Sequence, residues 1–413
     1  MMTRLLIAVI FTVSVFSAKL FCQDASALSK QGDSLYYLND YGNSIIKYEE
    51  SLKLDPGNVN FVYNAACVYS LLKKPDEAFS KLEQLPGIGY ENVSWISGDT
   101  DLEPLRNDTR WKPLIEKIQA NLNKRKDIGN MKIVTSDIDN FWVMYDVYKK
   151  SGSVDDIQKL YFDKKSAGLD AFTKVRVINA GQMDKVLKIY PQFLESIRSN
   201  TLSLKNISGK LIGYFEKLQE IYPEVYFPDI YFTIGCFSTG GTVSGRMLLI
   251  GSELMCADEN SPTGELNSWL KGNIGKIDNI EQIVMHESIH TLQEYNQANL
   301  LGASIKEGAC DFIASMVTGH EMNSAHYIYG RKYEKGLWKE FKKEMYGTDY
   351  SRWLYSGNNS IGRPSDLGYF IGYKICEAYY ENSEDKTRAV KEIIEVSDFE
   401  AFLKKSAYEE KFE

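Results

Sequence analysis

The chain has 413 residues, 44% of them apolar and 25% charged, with a formal net charge of −8. This composition supplies a sizeable core and two or three domains, and excludes a disordered or low-complexity chain. The acidic balance, with no dense basic patch, excludes a nucleic-acid partner.

At the start, Arg4 precedes the apolar run "LLIAVIFTVSVF", followed by small and polar residues in "SAKLFCQDASA". This is the layout of a secretory signal, and residues 1–22 are read as one. Cleavage fits after Ala18 or after Cys22. A lipid-modified Cys22 is the main competitor, disfavoured by the bulky Phe21 before it. No second apolar stretch reaches the length of a transmembrane helix. The expected mature protein is exported, periplasmic or extracellular, with no transmembrane segment.

Five cysteines remain beyond Cys22, scattered and odd in number. They give no disulfide framework and no CxxC metal spacing, though Cys236 and Cys256 flank an expected strand pair and could bridge.

Residues 23–124 read as helical repeats. In "ASALSKQGDSLYYLNDYGNSIIKYEESLKLDP", Leu28, Gly32, Tyr48 and Pro56 fall at the spacings of a 34-residue helix-turn-helix unit, and Val62, Ala66 and Leu82 occupy equivalent places in the next. The pattern resembles tetratricopeptide repeats, two of them over roughly residues 25–90, with a degenerate helical cap after. Stacked repeats expose a concave face that implies a protein partner. The alternative is that two repeats merely brace the domain after them.

Residues 130–413 read as a second domain, largely helical, interrupted by "EVYFPDIYFTIGCF", the loop "STGGTVSG" and "RMLLIGSEL". The loop lacks the lysine of a phosphate-binding pattern, so a flexible antiparallel hairpin is expected. The fold class is mainly α (α+β): N-terminal tetratricopeptide-like repeats, then a helical domain with a small antiparallel β-sheet.

One motif stands out. "MHESIH" holds two of only four histidines, and composition alone gives roughly 0.005 expected His-acid-x-x-His matches. On a helix His286 and His290 lie one turn apart and can converge on one ion, with Glu287 a quarter-turn away beside a metal-bound water. A catalytic zinc wants a third protein ligand. Glu307 follows seventeen residues later on a second helical pattern, with Asp311 one turn beyond. Gly308 would let this helix approach the first closely. Ser304 and Glu307 also have the S-x-x-E spacing of a capping box, in which case Glu307 only ties down a helix start.

HExxH, a later glutamate and an aspartate four residues on resemble the gluzincin metallopeptidases. With "EGACDF", the upstream strands and "DLGYFIGY", residues from Ile133 onward are more closely similar to a bacterial family of predicted zinc-dependent proteases of unknown substrate. The resemblance implies His286, His290 and Glu307 as Zn2+ ligands, Glu287 as general base, and Asp311 as the carboxylate orienting a ligand histidine. Tyr373, then Tyr369, are favoured to stabilise the oxyanion, with His320 and His326 as other candidates. The strand "GRMLLIGSEL" is expected to hold an extended peptide along its edge.

The leading expectation is thus an exported zinc metallopeptidase acting on a peptide or protein substrate, with repeats that bind substrate or partner. The competing expectation is a non-catalytic cell-envelope binding or assembly protein with a structural zinc site and a tetratricopeptide-like interaction surface. Metal-dependent hydrolysis of a non-peptide amide would use the same residues.

Overall fold

A computed structural model describes residues 25–293, 299–355 and 362–412. The expected signal segment and Cys22 lie outside the described residues. The chain forms two compact units, Met1–Leu122 and Asn123–Glu413.

In the first unit, helices α1 (Ala25–Tyr37) and α2 (Tyr41–Leu54) pack as a pair, as do α3 (Val59–Leu71) and α4 (Pro75–Leu82). Asp40 and Asn58 cap α2 and α3 by accepting backbone N–H bonds, and Pro75 opens α4, so each turn is set locally. Gly32 lets α1 lie on the Tyr48 ring, which a Cβ would meet at 2.9 Å. The helices close over Val62, Ala66, Phe79, Leu82 and Leu102, all at most 1% exposed. The short helix Val93–Gly98 follows, and the turn Thr100–Leu105 then runs beside α3.

The second unit is built around one continuous apolar core into which a four-stranded sheet is set. The strands are β1 (Ile133–Val134), β2 (Asp229–Thr233), β3 (Gly241–Ser244) and β4 (Met247–Gly251), in spatial order β1-β2-β4-β3. The architecture is mainly α with a small sheet, as expected, but the sheet is mixed, not antiparallel. The two apolar strands β2 and β4 pair parallel, Asp229 with Met247 through Thr233 with Gly251. The antiparallel partner of β4 is β3, which lies inside the glycine loop. The reason is geometric: Ser244 pairs with Met247, leaving a two-residue turn at Gly245-Arg246, and Gly245 takes φ +59°, which glycine does without strain. The expectation that "GRMLLIGSEL" forms a free edge is corrected by the same order. β4 is flanked on both sides, and the edge belongs to β3.

A buried carboxylate holds the loop between β2 and β3. Glu253 is fully enclosed and accepts the backbone N–H groups of Gly235 (2.8 Å) and Phe237 (2.9 Å), fixing Phe237 at φ +56°. Burial pushes the Glu253 carboxyl up to about 7, against the opposing pull of its N–H donors. A raised carboxyl contributes stability that is complete below its unfolded value near 4.5 and is lost as pH rises through about 7. Urea unfolding between pH 5 and pH 8 should therefore show the wild-type chain losing about 3 kcal/mol more than Glu253→Gln. Parallel pH profiles for the two proteins would contradict this assignment.

Cys67, Cys236, Cys256, Cys310 and Cys376 are all free thiols, so Cys236 and Cys256 are not bridged.

Candidate metal centre

Two helices supply the site. On α5 (Ile280–His290), Ile280, Val284, Met285 and Ile289 are buried, which leaves His286 and His290 on the flank with side chains 14% and 17% exposed. α6 (Leu300–Thr318) packs against α5 and is buried along nearly its whole length. Asn299 caps its start by accepting the Gly302 N–H, and Gly319 ends it at φ +72°. Ser304 and Glu307 thus lie inside the helix, and Glu307 caps nothing. Glu307 and Asp311 are only 6% and 5% exposed. Carboxylates so buried must be paired.

Their partners are the two imidazoles. Asp311 Oδ1 accepts from His286 Nδ1 at 2.7 Å, and Tyr327 donates its hydroxyl to Asp311 Oδ2 at 2.5 Å. Gln293 Nε2 donates to the Lys306 carbonyl at 3.0 Å, which turns Gln293 Oε1 toward His290 Nδ1 at 2.8 Å. With each Nδ1 donating, both Nε2 atoms face Glu307 Oε2, His290 at 3.2 Å and His286 at 3.5 Å. Tyr355 donates to the other oxygen, Glu307 Oε1, at 2.6 Å. Two donors each about 2.0–2.1 Å from one tetrahedral ion stand roughly 3.3 Å apart, so Glu307 Oε2 stands from each imidazole at a separation that one zinc can span. The outer hydrogen bonds that orient ligands in metal sites are likewise present on all three residues.

The electrostatics favour a cation here. Burial alone would pull the His286 imidazole down, but Asp311 and Glu307 outweigh it and hold it well above the ordinary histidine range. For Glu307, burial pushes upward, and the two imidazoles override it, holding the carboxyl well below its ordinary value. The centre is therefore an ionised carboxylate against an imidazolium when no metal competes, and a metal would take the proton's place.

Glu287 lies against the sheet edge, its carboxylate 2.6 Å from where a Cβ on Gly241 of β3 would fall. The favoured tyrosines are placed differently from each other. Both lie on α8 (Leu367–Asn382), which follows α7 (Ala325–Glu344). The Tyr369 ring stacks beside His286, centroids 6.1 Å apart, with the His326 ring on it at 5.9 Å. Tyr373 pairs its hydroxyl with Ser315 at 3.2 Å. His320 is exposed just past the end of α6.

Four neighbours were not read from the sequence. Gln293 could have been, since it follows His290 by three residues and the turn that ends α5 brings it back alongside. Cys310 also lies one turn from Glu307; its Sγ is 3.3 Å from His290 Nδ1. Its imidazole contact is on the Gln293 side, burial holds its thiol well above the ordinary range, and with His286 and His290 it forms a further set of possible metal donors. Tyr327 and Tyr355 come from distant segments, with no spacing to announce them.

Gly308 serves a different helix from the one expected. A Cβ there would fall 2.0 Å from the backbone nitrogen of Tyr373 and 2.1 Å from the Gly372 carbonyl carbon, so it admits α8 instead of α5.

Comparison with known proteins gives one match to a protein-family model, described as gliding motility protein GldB and labelled as lipoproteins, over residues 123–410. Among curated proteins, a chloroplastic protein of Arabidopsis thaliana is 32% identical over 96 residues, 21% of this chain and 29% of that protein. The chain thus spans less than a third of that relative's length. No solved structure matches significantly. The family match overturns the gluzincin resemblance and with it the expectations of a zinc metallopeptidase, a hydrolase and a peptide substrate. The matched family is one of gliding motility and not of peptidases, and it spans the whole segment on which that resemblance rested. The structure brings His286, His290, Glu307 and Asp311 together, but spacing and donor type, which a metal site shares whatever its use, do not carry a reaction with them.

Proposed function

Because the chain belongs to the gliding motility protein GldB family, we propose that it works in the cell envelope as a non-catalytic binding or assembly component of the machinery that moves the cell over a surface. The family match over residues 123–410 carries this reading. His286, His290 and Glu307 hold a Zn2+ ion whose task is structural, tying α5 to α6 and replacing the proton between His286 and Glu307. Zinc suits two imidazole nitrogens and a carboxylate. The first unit supplies the surface for a protein partner. In support, Tyr37, Leu38 and Trp95 are 80%, 75% and 63% exposed, which is unusual for large apolar side chains and common where a partner docks.

The family's lipoprotein label reverses the preference against lipid attachment at Cys22. On this reading an acyl chain on Cys22 is the anchor. Cys22→Ser should move the protein from the membrane fraction to the soluble one in fractionated cells and abolish its labelling by radioactive palmitate. Unchanged labelling would refute the anchor.

Deleting the gene tests the function itself. Loss of surface gliding, restored by the wild-type gene, is expected; normal gliding without the gene would overturn the proposal.

A further inference from the structure

A second site lies in the same unit, outside the metal centre. An open cleft of about 860 Å³ is formed by the middle of α7, by Ser351, Arg352 and Arg363, and by the C-terminal turn at Lys411 and Phe412. This is the size at which small molecules and headgroups bind. α7 is kinked at Tyr333, whose backbone (φ −121°, ψ 20°) leaves the helical region. The kink brings Tyr333 against Tyr329, ring centroids 4.5 Å apart, as an aromatic wall.

The charge of the cleft runs against that of the chain. Six basic and two acidic side chains line it, in a protein of net charge −8. Three of the basic groups are neutralised: Arg352 by Glu344 and Glu340, Arg363 by Glu340 at 3.0 Å, and Lys411 by Glu334 at 2.8 Å. The other three, Arg331, Lys332 and Lys335, have no carboxylate partner among the described residues. Arg331 is nevertheless fixed, donating to the Met322 carbonyl at 2.9 Å and to Asn323 Oδ1 at 3.1 Å. Both acceptors are neutral, so they aim the guanidinium and leave its charge uncancelled. The Lys332 ammonium sits 5.1 Å over the Tyr333 ring, which holds it at the wall.

We propose that this cleft binds a phosphate ester, its phosphoryl oxygens on Arg331, Lys332 and Lys335 and its body against Tyr329 and Tyr333. Three uncompensated cations close together call for more than one negative charge on the ligand. A phosphate monoester carries about −1.5 to −2 at neutral pH, where a single carboxylate offers only one. A planar guanidinium held in place matches phosphate oxygens in two directions at once. The phosphoryl group can belong to a soluble monoester or to a lipid headgroup that ends in a phosphate monoester, and both present the same charge and oxygens to the cleft.

The test titrates the purified full chain with inorganic pyrophosphate and, separately, with phosphatidylcholine vesicles containing phosphatidic acid, at fixed ionic strength. The double variant Arg331→Glu/Lys335→Glu changes only exposed positions. The double variant Lys73→Glu/Lys74→Glu, on the other unit, controls for net charge. Saturable binding of pyrophosphate indicates a soluble ester, and binding of vesicles alone indicates a headgroup. In either case the cleft variant should bind at least about tenfold more weakly while the control variant is unaffected. Absence of binding to both probes, or equal weakening by the two variants, would overturn the proposal.

Discussion

Gly308→Ala should destabilise the second unit by about 3 kcal/mol or more. Ordinary overpacking is relieved by a side chain that swings aside. Here the added Cβ meets the backbone of Tyr373 and Gly372, and Gly372 in turn has the Ser304 carbonyl oxygen 1.7 Å from where its own Cβ would fall. Neither helix can yield without α6 and α8 separating along their length. Because α6 carries Glu307 and Asp311, the same change should weaken metal retention. Gly336→Ala on α7 is the matching control. Its Cβ would enter open space, so the substitution should raise stability by about 0.5–1 kcal/mol through helix propensity alone. Thermal melts of the three proteins, followed by far-ultraviolet circular dichroism, decide the matter. Equal midpoints for wild type and Gly308→Ala would show that the helices are not locked at this point.

On the proposed structural role, removing the metal should cost the protein a comparable amount. An ion bound only by the folded chain, at a thousand times its Kd, stabilises by about 4 kcal/mol. Chelation should therefore lower the melting midpoint by on the order of 10 °C. Glu307→Gln and His290→Ala should abolish the chelator effect, because each removes a donor, whereas Glu287→Gln should preserve it. Affinity should also depend on pH with a definite sign. His286 is held protonated by Asp311 and Glu307, so the ion must displace that proton. Binding weakens as pH falls, by about tenfold per unit for each proton released. In the metal-free protein the same imidazolium contributes stability that is complete below its unfolded value and lost as pH rises through the higher folded one. Zinc competition titrations at pH 6, 7 and 8 check the first statement, and affinities independent of pH would refute it.

What could be read along the chain depended on the distance over which each feature is decided. His286, His290 and Glu287 share one helix, and Glu307 and Asp311 share the next, so intervals of one turn were enough to group them. Tyr327 and Tyr355 reach the same carboxylates from elsewhere in the unit, and nothing local marks them. The sheet failed for a similar reason. β2 and β4 look like a hairpin because both are apolar and close in sequence, but their pairing is decided by β3, whose "GTVS" carries too little apolar character to stand out within a glycine loop. Gly308 was recognised as a point of close approach, and only the packing tells which helix comes near. Function was the least legible. A set of donors at the spacing of a hydrolytic zinc site describes what can be held, and leaves open what is done with it.

The most direct test of the account places Glu287→Gln in cells as their only copy of the gene and measures surface gliding alongside the zinc content of the purified variant. A structural ion does not need this carboxylate, so gliding at the wild-type rate with one zinc per chain is predicted. Loss of gliding by a variant that is folded and fully loaded with zinc would contradict the non-catalytic reading.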